Sequence, residues 1–391
     1  MAALLLAAAL LAAPTAVSVA ARAEGSTGNN AGAQTGGRNG TLSALAAGEG
    51  TLEGVDLSVA YAPSLHLADQ PDFASTTFHS LSLSATRRSS RTVIGFSANG
   101  SLGEQDFSPL ATPSLVPSAP PATTPSPFLP ATRFVSVGYA NARLSAGYQF
   151  DRRLHGALVG TASTGGRLHA QDSVILPLQR TSSIGAQLSW EGSRLDTFSG
   201  TVAGSWSKTL FQGGPQISKS LHLQAEWGRI ISRWTRSRLG VGVTLTRNQG
   251  SQDAERIPPL PTATGSITTG VPLRGQSLSF TARAETTPVV DTLSGVAYLQ
   301  GSGGLSAGWS PSHTLSFGAS VSAARALYGP VHGWGASGEL SASLRLDRQT
   351  AFSVGARGAQ IPDTALGLDR SGQVFVWTVF AAISAAAREE L

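Results

Sequence analysis

The sequence has no cysteine, one methionine and almost no lysine: Lys208 and Lys219 are the only lysines among 28 basic residues. Without cysteine there are no disulfides, no thiolate metal sites and no lipidated N-terminal cysteine. Charge of either sign is scarce, at 13% of 391 residues, against about 25% in an average soluble domain. That level argues against a coiled coil, whose flanking positions are charged. The 41% apolar content argues against disorder. After residue 23 no apolar run reaches the ~18–20 residues that a spanning helix needs, so a helical membrane bundle is excluded too. The net charge is +5. However, the arginines are dispersed or sit in turn-like pairs such as Arg87-Arg88 and Arg152-Arg153, which is no footprint for nucleic acid.

What remains is polarity without charge: Ser, Thr, Gly and Gln interleaved with apolar residues. Residues 1–23 read as a signal peptide. Ala2 to Ala13 is an Ala/Leu run, Pro14 breaks it, and Ala21-Arg22-Ala23 fits an A-x-A cleavage site, although no basic residue follows Met1. The other reading is a retained N-terminal membrane helix. Residues 24–51 read as a flexible periplasmic linker, Gly/Asn/Thr/Ser-rich and without periodicity over 24–40; 41–50 are a candidate extra strand.

From residue 52 the texture changes. Segments of about ten residues alternate apolar and small polar positions, the signature of a strand with two unlike faces. Leu221, Leu223, Ala225 and Trp227 alternate with His222, Gln224 and Glu226. Leu239, Val241, Val243 and Leu245 do so against Gly240, Gly242 and Thr244, and Trp334 to Leu346 is opposed by Ser337, Glu339, Ser341, Ser343 and Arg345. Short connections fall near 87–91, 151–153, 191–194, 231–235, 287–291, 310–313 and 347–349. Longer ones fall near 63–75, 103–132, 164–182, 208–218, 247–274, 326–332 and 360–371, with a tight one at 301–302. This gives about sixteen strands, within a range of 16–18, since 133–150 shifts phase between Asn141 and Leu144 and reads as a bulged strand or a hairpin. Both termini fall on the short-turn side.

The aromatics fit two rings. Trp190, Trp227, Trp309 and Tyr148 fall at the short-turn rim; Tyr61, Trp206 and Trp334 fall at the long-loop rim. Amphipathic rings prefer the headgroup level of a bilayer. Over residues 52–391 the chain therefore resembles the bacterial outer-membrane β-barrel, porin-like class. The expected fold is all-β, a transmembrane antiparallel up-and-down barrel. The final strand, Val374 to Phe380, is aromatic, but a tail from Ala381 to Leu391 follows it.

If the large apolar residues face lipid, the opposite parity faces the lumen. It carries Asp56, His155, His222, Glu226, Arg238, Arg283, Glu285, Glu339, Arg345 and Arg357. The signs are mixed, so ion preference is expected to be weak; these residues either set selectivity or pair across strands. The 103–132 segment holds eight prolines and is expected either to narrow the pore or to form a surface loop.

No metalloprotease, nucleophile-elbow, phosphate-loop or dinucleotide motif is present, and the seven histidines show no metal-ligand spacing. The expectation is a non-enzyme without cofactors. The leading reading is a channel passing small polar solutes or ions through the outer membrane. A second is an export barrel partnering a periplasmic secretion or polysaccharide-export complex, and a third is a structural or adhesive barrel. Expected partners are outer-membrane lipid and small solutes, with no nucleic acid.

Overall fold

The computed structural model describes residues 14–29, 37–68, 75–106, 134–168, 178–211, 214–250, 258–273, 276–290, 297–328, 334–362 and 373–390. These form eighteen strands: β1 (Pro14–Asn29), β2 (Gly37–Leu52), β3 (Val55–Ala68), β4 (Ser75–Arg88), β5 (Thr92–Asp106), β6 (Phe134–Gln149), β7 (Leu154–Arg167), β8 (Leu178–Glu191) and β9 (Asp196–Phe211). They continue as β10 (Gly214–Ile230), β11 (Thr235–Gln249), β12 (Leu260–Leu273), β13 (Gln276–Val290), β14 (Ala297–Ser310), β15 (Leu315–Tyr328), β16 (Trp334–Arg345), β17 (Thr350–Pro362) and β18 (Gln373–Glu390). Each strand pairs antiparallel with the next, and β18 pairs with β1 from Ala16–Glu390 to Asn29–Trp377. The sheet is therefore a closed ring without an edge, the one β arrangement that satisfies every backbone donor and acceptor inside hydrocarbon.

The outer surface is apolar: Ile184, Val241 and Leu340 are 70%, 67% and 64% exposed. A side chain of that size left bare on a soluble protein would forfeit roughly 1.5–3 kcal/mol of burial; lipid removes that cost. The opposite parity carries hydroxyl pairs between neighbouring strands, Ser58–Ser84 at 2.7 Å, Ser205–Ser220 at 2.6 Å and Ser322–Ser337 at 2.8 Å.

One rim is built from a repeated turn. Asp151, Ser193, Ser232, Ser312 and Asp347 each accept backbone N–H bonds from the residues two and three positions on. Short polar side chains favour this local geometry. The β2–β3 hairpin uses Glu53 and Gly54 at φ 49° and 77°, the left-handed pair that two-residue hairpins need. Both ends of the described chain lie at this short-turn rim.

Several sequence expectations are corrected. The segment 24–51 is not a linker: with residues 14–23 it supplies β1 and most of β2, and the expected cleavage step at Ala23 falls inside β1. Most outward positions of β1 and β2 are small (Ala21, Ala23, Ala44, Ala46), with Val19 and Leu42 among the larger exceptions, so the alternation is faint. Residues 1–13 lie outside the described residues. The 247–274 segment contains β12, whose outward face holds Pro261, Ala263, Gly265 and Thr269 around Ile267, with Val271 and Leu273 only at its short-turn end, so the apolar alternation is faint. Conversely, 292–309 is mostly one strand, β14: the glycines at 301, 303 and 304 are strand positions, not a turn. The 287–291 segment lies largely within β13 and at the longer-loop rim. The phase change in 133–150 is no bulge, because β6 pairs in unbroken register with both neighbours; it instead turns Val137 and Tyr139 inward. The tail after Phe380 continues β18 to Glu390. The proline-rich stretch of 103–132 lies, from 107 on, outside the described residues.

Candidate pore interior

The inner face is organised around a four-residue ionic chain. Glu339 on β16 and Arg357 on β17 face each other in register, with Arg357 Nε donating to Glu339 at 3.2 Å. Arg357 Nη1 then reaches past β18 to Glu24 Oε1 on β1 at 3.0 Å, and Arg22 donates to the same carboxylate at 2.5 Å. The Arg357 guanidinium also lies 4.0 Å from the Phe380 ring centroid. Glu24 and Arg357 are 2% and 8% exposed at the side chain. An outward pair would not be so shielded, so this burial fixes their parity as the inside. Two cations and two carboxylates cancel.

A second cluster is uncharged in its contacts. His222 on β10 has Nδ1 2.8 Å from Thr244 and Nε2 2.9 Å from Gln224 Oε1. Gln224 donates on to Thr264 at 3.1 Å. Since the amide oxygen only accepts, Nε2 carries the proton and the Thr244 hydroxyl donates to Nδ1. The histidine is thereby tied into a wall network spanning β10 to β12.

The other sequence candidates are distributed around the ring. Glu226 and Arg238 approach to 3.9 Å. Arg283 pairs with Glu285 on the same strand, and Ser302 donates to Glu285 at 3.3 Å. His155 lies 3.7 Å from Glu191 near the short-turn rim. Asp56 accepts from Thr51 at 3.4 Å beside the Glu53-Gly54 hairpin. Arg345 ends β16 at the same rim, exposed. The structure thus brings Glu339 and Arg357 together, and pairs Glu226 with Arg238 and Arg283 with Glu285, while leaving His222, Asp56 and Arg345 apart from any ionic partner among the described residues.

Several inner residues escaped the sequence reading. Glu24 and Arg22 were hidden in the supposed targeting and linker segments. Glu191 sits at a strand end. Arg143 was obscured by the phase change in β6. It faces Ser97 and Thr161 across its two registers, with Asn99 and Asn141 beside them. Among the described residues it is the mid-wall inner cation with no carboxylate partner. The strict parity of β5 and β7 on either side was the signal that marked it.

The aromatic residues flank the wall. Tyr148, Trp190, Trp227 and Trp309 lie close to the short-turn ends of β6, β8, β10 and β14, and Trp190 and Trp309 stack on Phe198 and Phe317 at 5.7 and 5.5 Å. The indole N–H groups of Trp227 and Trp309 reach Asp196 and Gln276 at the rim. Trp334 opens β16 and Trp206 lies towards the longer-loop end of β9. Tyr61 differs: it is mid-strand in β3, hydrogen-bonded to His79 at 2.8 Å. No three His, Asp or Glu side chains converge as a metal site among the described residues.

No family model matches the chain, and no curated protein does. Solved structures match over nearly its whole length. The ferric citrate transporter FecA in its unliganded form is 8% identical, covers 96% of this chain and 79% of its own, and superposes with a TM-score of 0.50. OccAB3 of Acinetobacter baumannii is 8% identical over 96% of this chain and 99% of its own, at 0.49. The outer membrane protein OpdK of Pseudomonas aeruginosa is 8% identical over 96% and 98%, at 0.48. At such identities the shared property is the fold: a closed antiparallel barrel of the outer-membrane class.

Proposed function

We propose that the protein is an outer-membrane channel through which small polar solutes or ions diffuse. The observation that carries this reading is the ring of eighteen strands, a size at which barrels leave an aqueous lumen, lined by hydroxyls, amides and ion pairs. The inner charges largely neutralise one another locally. That leaves Arg143, mid-wall among hydroxyls and amides and without a carboxylate partner among the described residues, as the residue that tilts the interior towards anions. Rings and clusters of fixed charge bias passage in this way. No feature of the described wall favours the export reading.

Purified protein in planar bilayers under a salt gradient tests this. The expected result is stepwise conductance with a reversal potential displaced towards the anion, and a shift towards the cation in Arg143→Glu. Absence of any conductance by the folded protein would sink the channel reading; conductance indifferent to Arg143 would sink the role of that residue.

A further inference from the structure

The outer face carries a cationic patch that the channel reading does not use. Arg180 on β8 and Lys208 on β9 are register partners, as are Lys219 on β10 and Arg247 on β11. Parity with Ile184, Val202, Leu221 and Val241, all bare on the outer surface, places the four on the lipid side, towards the longer-loop rim. Both lysines of the chain are here. The described parts of β8 to β11 hold no outward carboxylate in that half, and none of the four cations has an ion-pair partner among the described residues. Like charges directly opposite on adjacent strands repel, so the arrangement calls for an anion. The two pairs are centred two strands apart and offset by two residues along them, about 12 Å by strand spacing and rise.

A second feature adjoins the patch. A groove of about 530 Å³ crosses the outer face of β4 to β9. Its floor is small, with Ala98, Gly100, Ala140 and Ala162; Leu83 walls one side, and Arg180 with Trp206 closes the other. Trp206 is also the register partner of Lys219, so groove and patch share a boundary. A shallow apolar channel ending at paired cations matches a lipid: acyl chain in the groove, phosphate at the cations.

We propose that this surface binds a lipid of the surrounding leaflet bearing two phosphate groups, one at Arg180–Lys208 and one at Lys219–Arg247, with an acyl chain along the Ala/Gly floor. Charge-assisted contacts of guanidinium and ammonium groups with phosphate are the strong class of hydrogen bond. The outer face has a natural control. A similar groove, lined by Ala263, Gly265, Ala284 and Trp334, ends at Arg325 alone.

The test is native mass spectrometry of the full chain in detergent, titrated with bisphosphorylated lipid A, with phosphatidylcholine and with inorganic phosphate. The expected result is retention of lipid A over phosphatidylcholine, weakened about tenfold or more in Arg180→Gln/Lys208→Gln and separately in Lys219→Gln/Arg247→Gln, since loss of about 1.4 kcal/mol is tenfold. Arg325→Gln is expected to leave it unchanged. Retention equal in wild type and both pair variants overturns the proposal, as does displacement of lipid A by millimolar phosphate, which would mark a free-anion site. A change in oligomeric mass in the variants, with lipid retention unaltered, would assign the patch to a contact between copies and equally refute it. Two separate pair variants guard against one failing to fold.

Discussion

Replacing Arg357 by methionine isolates the ionic chain that spans β16 to β1. The magnitude follows from burial. Glu24 is 2% exposed at the side chain and Arg357 8%, whereas Glu339 is 39% exposed. Losing Arg357 strands the Glu24 carboxylate, beside Arg22, in a site almost closed to water. Removing one partner of a buried pair costs about 3–5 kcal/mol. The Glu339 side, being solvated, adds only about 0–1 kcal/mol. Adding Glu24→Gln to Arg357→Met removes the stranded charge and is expected to restore about 2 kcal/mol, leaving the lost contact with Phe380. The assay is urea unfolding of the refolded chain in lipid vesicles, followed by tryptophan fluorescence, with midpoint and slope compared among wild type, both single variants and the double. A cost below about 1 kcal/mol for Arg357→Met, or strictly additive single effects, would refute the view that the pair is buried and coupled.

Other outcomes follow from the wall and its turns. Arg143→Glu is expected to move the reversal potential towards the cation, whereas Glu339→Gln, which leaves the otherwise neutral chain with one uncompensated cation, should move it towards the anion; bilayer recordings under a salt gradient compare them. The backbone N–H groups of Arg153 and Leu154 hold the Asp151 carboxyl below its ordinary value, and those of Gln349 and Thr350 do the same for Asp347. A depressed carboxyl contributes stability above its unfolded value, near 3.8, and loses it as pH falls through the folded value. Unfolding midpoints should therefore be flat from neutrality to about pH 5 and drop below about pH 4, with the drop reduced in Asp151→Ala/Asp347→Ala. Gly54→Val places a β-branched residue at φ 77° and should destabilise the β2–β3 hairpin by about 1–3 kcal/mol, read as a lower urea midpoint.

Strands with bulky outward residues were legible in the sequence. In β10, β11 and β16, Leu, Val and Trp on one parity against Ser, Thr and Gly on the other mark both the strand and its faces. Where the outward residues are small, the signal fails. β1 and β2 present mainly Ala and Gly outward, with isolated large residues such as Val19 and Leu42, and read as a targeting segment and linker. β12 presents Pro, Ala, Gly and Thr around Ile267, with Val271 and Leu273 confined to its end, and reads as a loop. β14 carries Gly301, Gly303 and Gly304 and reads as a hairpin; Gly301 and Gly303 line the outer groove that ends at Arg325. β6 inverts the pattern by turning Val137 and Tyr139 inward, because lumen positions have no need to be polar throughout.

The sequence by itself determined the class: low charge, period-two alternation, aromatic rims and short turns on one side suffice for a transmembrane barrel, because these are requirements of the bilayer on each strand separately. It also determined which face most charged residues occupy. Only the tertiary structure decided which of them meet. Parity assigns a side chain to a face, but register and ring closure set its neighbours. Glu24 and Arg357 stand 333 residues apart and touch because β18 pairs with β1. Arg180, Lys208, Lys219 and Arg247 become one patch because three successive registers bring the two pairs to within two residues of each other along neighbouring strands. Contacts across strands are fixed by the sheet as a whole, and no local stretch of sequence contains them.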